Sequence, residues 1–327
     1  MPRHLETTIT RFPIAGEFKI SRGSKTSADV IVCTIHDGAF QGRGECVPYK
    51  RYGETLESVE AEIKSLAALI AAGMDRQALL DGLHPGAARN AIDCALWDLE
   101  AKISGVCVAE RLGLQPPKPL TTAYTISLDL PEKMAAQAAK HADRALLKIK
   151  MGTEDDESRV RAVRASAPHS LLVLDANEGW TQANIAHHLA VAAECGVALV
   201  EQPLPAGQDD ILALIDHPLL ICADESVHET RDLPALLGKY DAVNIKLDKT
   251  GGLTEALRMK REAEKLGFQI MAGCMVGSSL AMAPAVLLAQ DAAFVDLDGP
   301  LLLAEDCTPS LKYEASLVYP PDRTLWG

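Results

Sequence analysis

The pattern of apolar and polar positions changes about a third of the way along the chain. In the first part, alternating and i+4 apolar patterns predict three strands and two helices, over Ile9–Phe12, Ala28–Ile35, Gly42–Cys46, Ser58–Ala72 and Gly86–Ile103. The second and third strands are joined by a turn at His36–Ala39. The proline-rich segment Gln115–Pro119 then marks a domain boundary. This part of the chain is predicted to be an α+β domain.

From Thr121 onward, short apolar runs alternate with helical stretches, which is typical of βα units and a parallel sheet. The runs recur at a period of roughly 22–27 residues, over Thr121–Ile126, Ala145–Lys150, Leu171–Asp175, Val197–Glu201, Leu219–Asp224, Ala242–Lys246, Gln269–Ala272 and Phe294–Asp298. Eight parallel strands with helices outside predict an α/β barrel. A doubly wound open sheet is the alternative, but no GxGxxG motif follows any of these runs.

The second run, ALLKIKMG at 145–152, places two lysines in a buried strand. Since side chains alternate along a strand, Lys148 and Lys150 point to one face while Leu147 and Ile149 point to the other. Strands of a buried parallel sheet are usually apolar on both faces, and an unpaired ammonium there costs several kcal/mol. The two lysines therefore require carboxylates from elsewhere in the chain.

Ionisable residues end six of the predicted strands: Lys150, Asp175, Glu201, Asp224, Lys246 and the pair Asp296 and Asp298. Barrel enzymes carry their chemistry at the C-terminal ends of the strands. A single Asp after a strand is often only a helix cap or a turn residue. The recurrence at six strand ends favours a functional site over six separate caps.

Three consecutive strands end in Asp175, Glu201 and Asp224. Carboxylates that converge on one point repel each other unless a cation lies among them. A ligand set of oxygen atoms alone predicts a hard divalent ion, Mg²⁺ first, with Mn²⁺ as a substitute. Asn177 and Glu225 lie one or two residues beyond these ligands and are candidates for supporting them. The alternative is an ion-pair network with the lysines and no metal.

Lys150 and Lys246 end the second and sixth strands, so they face each other across an eight-stranded barrel. A base on each face of a carbon acid can remove a proton from one side and return it from the other, while a divalent ion stabilises the enediolate. Lys148, on the same face as Lys150, is expected to lower the pKa of Lys150. A lysine that forms a Schiff base is the alternative, but that chemistry needs no carboxylate trio.

Composition and charge narrow the classes of partner. The 45 acidic and 32 basic residues give a formal net charge of −13, and without a basic cluster no nucleic-acid partner is expected. No secretory signal is visible, and the longest apolar region, Ser278–Val295, is interrupted by Pro284, Gln290 and Asp291, so no membrane span is expected. Eight scattered cysteines without a CxxC motif are typical of reduced thiols. A cytoplasmic protein that acts on a small molecule is predicted.

Five motifs of the barrel region, LLKIK, DANEGW, LVEQPL, ICADES and NIKLDKTGGLTEAL, carry a resemblance to a known family. With them the chain resembles the enolase superfamily, in its muconate-lactonizing subgroup. The resemblance implies an α+β capping domain at 1–118 and a modified TIM barrel of the (β/α)7β type at 119–304. It also implies that the last residues, about 305–327, pack back on the capping domain. Asp175, Glu201 and Asp224 would be Mg²⁺ ligands, and Lys150 and Lys246 the acid/base groups.

A narrower resemblance rests on ISRGSKTSADV, GECVPYKRYGE, GAARNAIDCALWDLEAK and FVDLDGPLLL, which are similar to segments of dipeptide epimerases, in particular those acting on L-Ala-D/L-Glu. It implies inversion at the α-carbon of the C-terminal Glu residue by two-base 1,1-proton transfer through a metal-stabilised enediolate, in murein peptide metabolism. It implies that Asp296 and Asp298 hold the α-ammonium of the substrate and that Arg22, in a flexible capping loop, meets the Glu side chain. Thr125 is a further implied substrate-binding residue. The implied supporting residues are Lys148, Asn177, Glu225 and Asp248.

Alternatives to this function stay open. The same scaffold could act on another dipeptide. It could also run a reaction of the o-succinylbenzoate synthase or cycloisomerase type, but those substrates lack the ammonium that Asp296 and Asp298 would hold. A non-catalytic barrel would leave the opposed lysines unexplained. Homo-oligomers are common in the superfamily, and the resemblance is compatible with one.

Overall fold

The computed structural model of the protein describes residues 2–114 and 116–327, so Gln115 of the predicted boundary Gln115–Pro119 lies outside the described residues. The N-terminal part is an antiparallel sheet of strand order β1–β2–β3, followed by helices. The strands are β1 (His4–Ile20), β2 (Gly23–Asp37) and β3 (Phe40–Cys46), and the helices are α1 (Leu56–Ser65), α2 (Ala67–Ala71), α3 (Arg76–Gly82), α4 (Ala87–Ser104) and α5 (Val108–Arg111). The predicted α+β class of this part is confirmed.

The β1–β2 hairpin is much longer than the predicted strands Ile9–Phe12 and Ala28–Ile35. Backbone pairing runs from His4 opposite His36 to Ile20 opposite Gly23, with an irregularity between Pro13 and Phe18. The outer half of the hairpin is largely exposed, so apolar alternation could not reveal it. This half extends over the barrel, where the N–H of Leu128 donates to the carbonyl of Lys19 (3.0 Å).

Helix α4 packs on strand β3 through two glycines. A Cβ atom at Gly42 would lie 2.1 Å from the carbonyl oxygen of Ala95, and one at Gly44 would lie 2.2 Å from that of Ala91. Glycine is therefore required at both positions for this close approach. The other predicted helix, Ser58–Ala72, is divided at Leu66 into α1 and α2.

The second part of the described chain is a parallel sheet in which the strands follow each other in sequence order. Its strands are β5 (Tyr124–Ile126), β6 (Leu146–Lys150), β7 (Leu171–Asp175), β8 (Val197–Glu201), β9 (Leu220–Ala223), β10 (Ala242–Ile245), β11 (Gln269–Ala272) and β12 (Phe294–Val295). The N–H of Ala123, just before β5, donates to the carbonyl of Val295 in β12 (2.8 Å), which joins the two edges. The prediction of a modified (β/α)7β barrel is confirmed.

The barrel helices are α6 (Pro131–Lys140), α7 (Asp156–Ser166), α8 (Ile185–Glu194), α9 (Leu247–Thr250), α10 (Leu253–Lys265) and α11 (Ser279–Leu288). After β8 and β9 the connections are 3-10 helices, Asp210–Leu214 and Thr230–Leu236, where the alternating pattern predicted ordinary βα units. The second contains Pro234, which cannot continue an α-helical hydrogen-bond ladder. A further 3-10 helix, Gly299–Leu302, follows β12.

An apolar ring closes the barrel lumen toward the N-terminal ends of the strands. It takes one buried residue from each strand or the residue before it: Ala123, Leu146, Val173, Leu199, Cys222, Ala242, Met271 and Phe294. The outward-facing neighbours, such as Leu147 and Ile149, belong to the large core between the strands and the helices. The alternation predicted for the lysine-bearing strand is therefore present.

The C-terminal residues contact both parts of the chain. Strands β13 (Tyr313–Glu314) and β14 (Leu317–Val318) form a small sheet with β4 (Leu120–Thr121). Trp326 Nε1 donates to the carbonyl of Cys94 (3.1 Å), and the N–H of Gly327 donates to Asp98 Oδ1 (2.8 Å), both on α4. In the described part of the chain, no helix has the length and apolar character needed to cross a membrane.

Candidate active site

Nine of the predicted site residues line the lumen on the C-terminal side of the apolar ring. Each follows a ring residue by two or four positions, so alternation along the strand turns it inward. Thus Leu146 is followed by Lys148 and Lys150, and Phe294 by Asp296 and Asp298. The same rule brings in Thr125, Asp175, Glu201, Asp224 and Lys246. These side chains are all buried.

Lys148 lies at the centre of the carboxylates. Its Nζ lies 2.6 Å from Asp296 Oδ2, 2.7 Å from Glu201 Oε2 and 3.1 Å from Asp175 Oδ2. Burial alone would lower the pKa of this amine, but the three carboxylates outweigh burial and raise its pKa well above the usual range. The three carboxylates therefore favour the charged form of Lys148, which lies at the level just below Lys150.

The two other lysines lie on opposite sides of the lumen, because β6 and β10 are four strands apart in the sheet order. Lys150 Nζ donates to Asp175 Oδ2 (2.6 Å), and Lys246 Nζ donates to Asp224 Oδ2 (2.6 Å). Burial would lower the pKa of Lys246, but Asp224 and Glu201 raise it well above the usual range. Two amines thus flank one group of carboxylates.

The carboxylates at the ends of β7, β8 and β9 differ in their charge environment. Burial, with the nearby Asp175, raises the pKa of Glu201 to about 7. For Asp175 burial acts in the same upward direction, but Lys150 and Lys148 overcome it and hold the pKa below its usual range. The negative charge of Glu201 is therefore the least well compensated.

The carboxylates of Asp175, Glu201 and Asp224 form ion pairs with lysines and leave one oxygen open to a divalent cation. Within residues 2–114 and 116–327, no three His, Cys, Asp or Glu side chains form a ready metal site, since lysines hold the carboxylates as in the predicted ion-pair alternative. However, Glu201 Oε2 accepts no hydrogen bond of good geometry from the described residues, although Lys148 Nζ is 2.7 Å away. An oxygen-only donor set with an undercompensated carboxylate fits a hard divalent ion.

Asp296 and Asp298 lie beside this group on the last strand end. Burial, followed by repulsion from Asp296, raises the pKa of Asp298 to about 7. The backbone N–H of Thr125 donates to Asp298 Oδ2 (2.6 Å), while Asp296 Oδ1 accepts no hydrogen bond from the described residues. The pair therefore retains accepting capacity and negative charge for a cationic group.

Arg22 lies in the tight turn between β1 and β2, in the segment for which the resemblance implied a flexible loop. Its Nη1 donates to the carbonyl of Asn177 (2.7 Å) and to Glu178 Oε2 (3.1 Å), and its Nη2 donates to Glu225 Oε1 (2.6 Å) and Tyr49 (3.2 Å). Strand pairing continues on both sides of this turn, to Ile20 and Gly23, which the polar hairpin sequence did not show.

The predicted supporting residues other than Lys148 divide into two groups. Asn177 and Glu225 contact Arg22, and the N–H of Asn177 also donates to Asp175 Oδ1 (3.0 Å). Asp248 instead points to the N-terminal part, where its Oδ1 accepts from the N–H of Val47 (3.1 Å) and from Asn90 Nδ2 (2.8 Å). Asp248 therefore joins the two parts of the chain next to Lys246 and lies outside the lumen group.

Sequence reasoning missed two residues that contact the site carboxylates, Lys249 and Asn244. Lys249 Nζ donates to Asp224 Oδ1 (2.5 Å), to the carbonyl of Asp224 (2.6 Å) and to that of Asn244 (2.9 Å). Asn244 Nδ2 donates to Glu201 Oε1 (2.7 Å). The signal for Asn244 was its position two residues after the ring residue Ala242, which is the rule that selected the other lumen residues.

The chain is similar to known proteins over most of its length. Residues 4–113 match the family model of the mandelate racemase / muconate lactonizing enzyme N-terminal domain, and residues 133–323 match that of the enolase C-terminal domain-like family. An L-Ala-D/L-Glu epimerase of Escherichia coli is 44% identical over 92% of this chain and 95% of its own length. An N-acetyl-D-glutamate racemase of Pseudoalteromonas sp is also 44% identical, over 91% and 95%.

Solved structures show the same relationship. An enolase family member from Agrobacterium tumefaciens with homology to dipeptide epimerases, holding sodium and L-Ala-L-Glu, is 63% identical, with a TM-score of 0.99 over 100% of both chains. A dipeptide epimerase from Cytophaga hutchinsonii complexed with Mg and D-Ala-L-Val is 27% identical, with a TM-score of 0.91 over 98% of this chain and 94% of that one. The chain belongs to the enolase superfamily, in its mandelate racemase and muconate lactonizing enzyme group, and is an isomerase of the epimerase and racemase type.

Proposed function

We propose that the protein is a Mg²⁺-dependent dipeptide epimerase that inverts the α-carbon of the C-terminal Glu residue of L-Ala-D/L-Glu. The observation that carries the proposal is the placement of Lys150 and Lys246 on opposite sides of one carboxylate group, with Asp296 and Asp298 beside it. The likeness to L-Ala-D/L-Glu epimerases and to a structure that holds L-Ala-L-Glu supports the choice of substrate. A role in murein peptide metabolism is part of this proposal.

Asp175, Glu201 and Asp224 would hold the Mg²⁺ ion, with Mn²⁺ as the expected substitute. When bound, the ion supplies positive charge to the terminal carboxylate of the substrate, which makes the neighbouring α-proton more acidic. The lysines provide the rest of the chemistry. One takes the α-proton from its own face of the substrate and the other returns a proton to the opposite face, which inverts the carbon.

The remaining residues bind and orient the substrate. The α-ammonium would lie at Asp296 and Asp298. Asp296 Oδ1 accepts no hydrogen bond from the described residues and could therefore accept one from the substrate. The side-chain carboxylate of the Glu residue would pair with Arg22, in exchange for Glu225 or Glu178. The hairpin that carries Arg22 reaches the strand ends at Asn177, and Phe18 of β1 lines the pocket between the lysines, where the ring would help to exclude water from the reacting carbon.

Racemisation of an N-acylated glutamate is a second candidate, because a racemase of that kind is as similar to this chain as the epimerase. The two substrate classes differ in the ammonium. The buried Asp298 favours the dipeptide. Asp296 already pairs with Lys148 (2.6 Å), whereas Asp298 forms no salt bridge among the described residues, so an uncharged acyl group would leave Asp298 without a cationic partner.

Exchange of the Glu α-proton in D₂O, followed by NMR, tests the proposal. L-Ala-L-Glu with Mg²⁺ should exchange and yield both epimers at the Glu carbon. The matched control is N-propionyl-L-Glu, which replaces only the ammonium by hydrogen and should react at least tenfold more slowly. A faster reaction with N-propionyl-L-Glu or N-acetyl-L-Glu would favour the racemase, and a lack of exchange in all three substrates would refute both.

A further inference from the structure

The residue that follows Glu201 has an unusual backbone conformation. Gln202 is fully buried, and its φ of 35° lies in the left-handed region, which residues with a Cβ atom rarely adopt. Such a conformation persists only where the surrounding structure holds it. The N–H of Gln202 donates to the carbonyl of Cys222 (2.8 Å), and its carbonyl accepts from the N–H of Glu178 (2.9 Å). The chain is therefore held from β9 and from the loop after β7 at the residue that follows a proposed metal ligand.

The side chain of Gln202 reaches the end of the neighbouring strand. Backbone pairing between β8 and β9 ends with Glu201 opposite Cys222. Beyond this point Gln202 Oε1 accepts from the N–H of Asp224 (2.8 Å) and from that of Ser226 (3.1 Å). One side chain thus links the residue after Glu201 to the backbone of Asp224, so two proposed metal ligands on neighbouring strands share one support.

Buried hydrogen bonds fix the orientation of the Gln202 amide. Asp209 is buried and accepts from the hydroxyls of Ser226 and Tyr240 (2.7 Å each). Because an ionised carboxylate only accepts, both hydroxyls donate to Asp209 and keep lone pairs for Gln202 Nε2, which lies 2.9 Å from the first and 3.0 Å from the second. These acceptors hold Nε2 on their side and leave Oε1 to the backbone N–H groups.

We infer that Gln202 is a positioning residue of the metal site, which fixes the backbone from which Glu201 and Asp224 project and so holds their carboxylates in place for Mg²⁺. The inference rests on the proposed function, in which both residues bind the ion. Each carboxylate also has a lysine partner, Glu201 with Lys148 (2.7 Å) and Asp224 with Lys246 (2.6 Å). Without a fixed backbone each carboxylate could follow its lysine, which would weaken Mg²⁺ binding.

Gln202→Met tests the inference, because methionine keeps the length of the side chain but loses the amide. Calorimetry should give a Kd for Mg²⁺ at least about tenfold higher than that of the wild-type protein, the usual effect of losing a residue that supports a metal ligand. The Mg²⁺-induced rise in Tm should be correspondingly smaller. A lower Tm of the metal-free variant with unchanged Mg²⁺ affinity would show that Gln202 only stabilises the fold, and would overturn the inference alone. Absence of Mg²⁺ binding by the wild-type protein would overturn the proposed Mg²⁺ dependence as well.

Tyr240→Phe is the matched control, because it weakens the same buried network outside the contact to Asp224. It removes the hydroxyl that donates to Asp209. The two hydrogens of Gln202 Nε2 keep two acceptors, the carbonyl of Leu204 (2.8 Å) and the hydroxyl of Ser226 (2.9 Å). Tyr240→Phe should therefore lower Tm and leave the Mg²⁺ affinity unchanged. Equal losses of Mg²⁺ affinity in Tyr240→Phe and Gln202→Met would contradict a specific role of Gln202.

Gln202→Gly is a second variant that keeps the test decisive if Gln202→Met does not fold. Glycine adopts a φ of 35° without strain, so this variant loses the amide and keeps the backbone conformation at no steric cost. It should show the same loss of Mg²⁺ affinity. A wild-type Kd for Mg²⁺ in Gln202→Gly would overturn the inference.

Discussion

Removal of either opposed lysine should stop epimerisation but leave one half of the reaction. In Lys150→Ala the remaining amine, Lys246, can still take the α-proton of one epimer and return deuterium from solvent to the same face. Lys246→Ala should show the same behaviour with the other epimer. Each variant should therefore exchange one epimer only, with opposite choice, because the two amines lie on opposite sides of the lumen.

The size of the effect follows from the neighbours of each lysine. A positioned general acid or base contributes about 10²–10⁴-fold to a rate, or about 3–5 kcal/mol. No nearby amine is free to take over, since Lys148 is held by three carboxylates and Lys249 by Asp224. Epimerisation by either variant should fall by at least about 10²-fold.

Both variants should remain folded, which keeps the experiment interpretable. In Lys150→Ala, Asp175 still has Lys148 at 3.1 Å, and in Lys246→Ala, Asp224 still has Lys249 at 2.5 Å. Circular dichroism and thermal unfolding check this point. The assay is NMR of the Glu α-proton, starting from each pure epimer in D₂O. The two-base reasoning fails if one variant interconverts the epimers at the normal rate, or if both variants exchange the same epimer.

Three further predictions concern the other residues. Asp298→Asn should lower kcat/KM for L-Ala-L-Glu by at least about 30-fold, because a buried charge pair is worth about 2–5 kcal/mol. The same variant should lower kcat/KM for N-propionyl-L-Glu much less. Equal losses for the two substrates would contradict ammonium binding by Asp298. Lys249→Met should weaken Mg²⁺ binding, because Lys249 fixes one oxygen of Asp224. Calorimetry or the Mg²⁺-induced rise in Tm measures this binding. Lys249→Arg should restore part of the Mg²⁺ affinity. Thermal stability should fall as pH rises from about 5 to 7, because burial raises the pKa of Glu45 to about 7 in the folded chain and the unfolded chain therefore releases this proton first. Glu45→Gln should make the dependence of Tm on pH less steep. An unchanged dependence would exclude Glu45 as its source.

The fold was largely predictable because it depends on local patterns. The strand period, the alternation in LLKIK and the i+4 alanines of α4 each depend on residues that are near in sequence. The errors occurred where apolar alternation is weak or interrupted. Polar residues 15–27 hid the outer half of the β1–β2 hairpin, and Pro234 accompanies a 3-10 helix where a βα unit was expected.

The sequence by itself determined which residues line the lumen. Strand alternation and the apolar ring place Lys148, Lys150, Asp175 and Glu201 on the inner face wherever the strands close into a barrel. It also determined that the lysines need carboxylate partners, because burial of an unpaired charge is too costly.

Only the tertiary structure decided which charge meets which. Arg22 pairs with Glu225, a separation of 203 residues, and Lys148 with Asp296 across 148. Such pairs depend on barrel closure and on the position of the hairpin at the strand ends, which no local pattern contains.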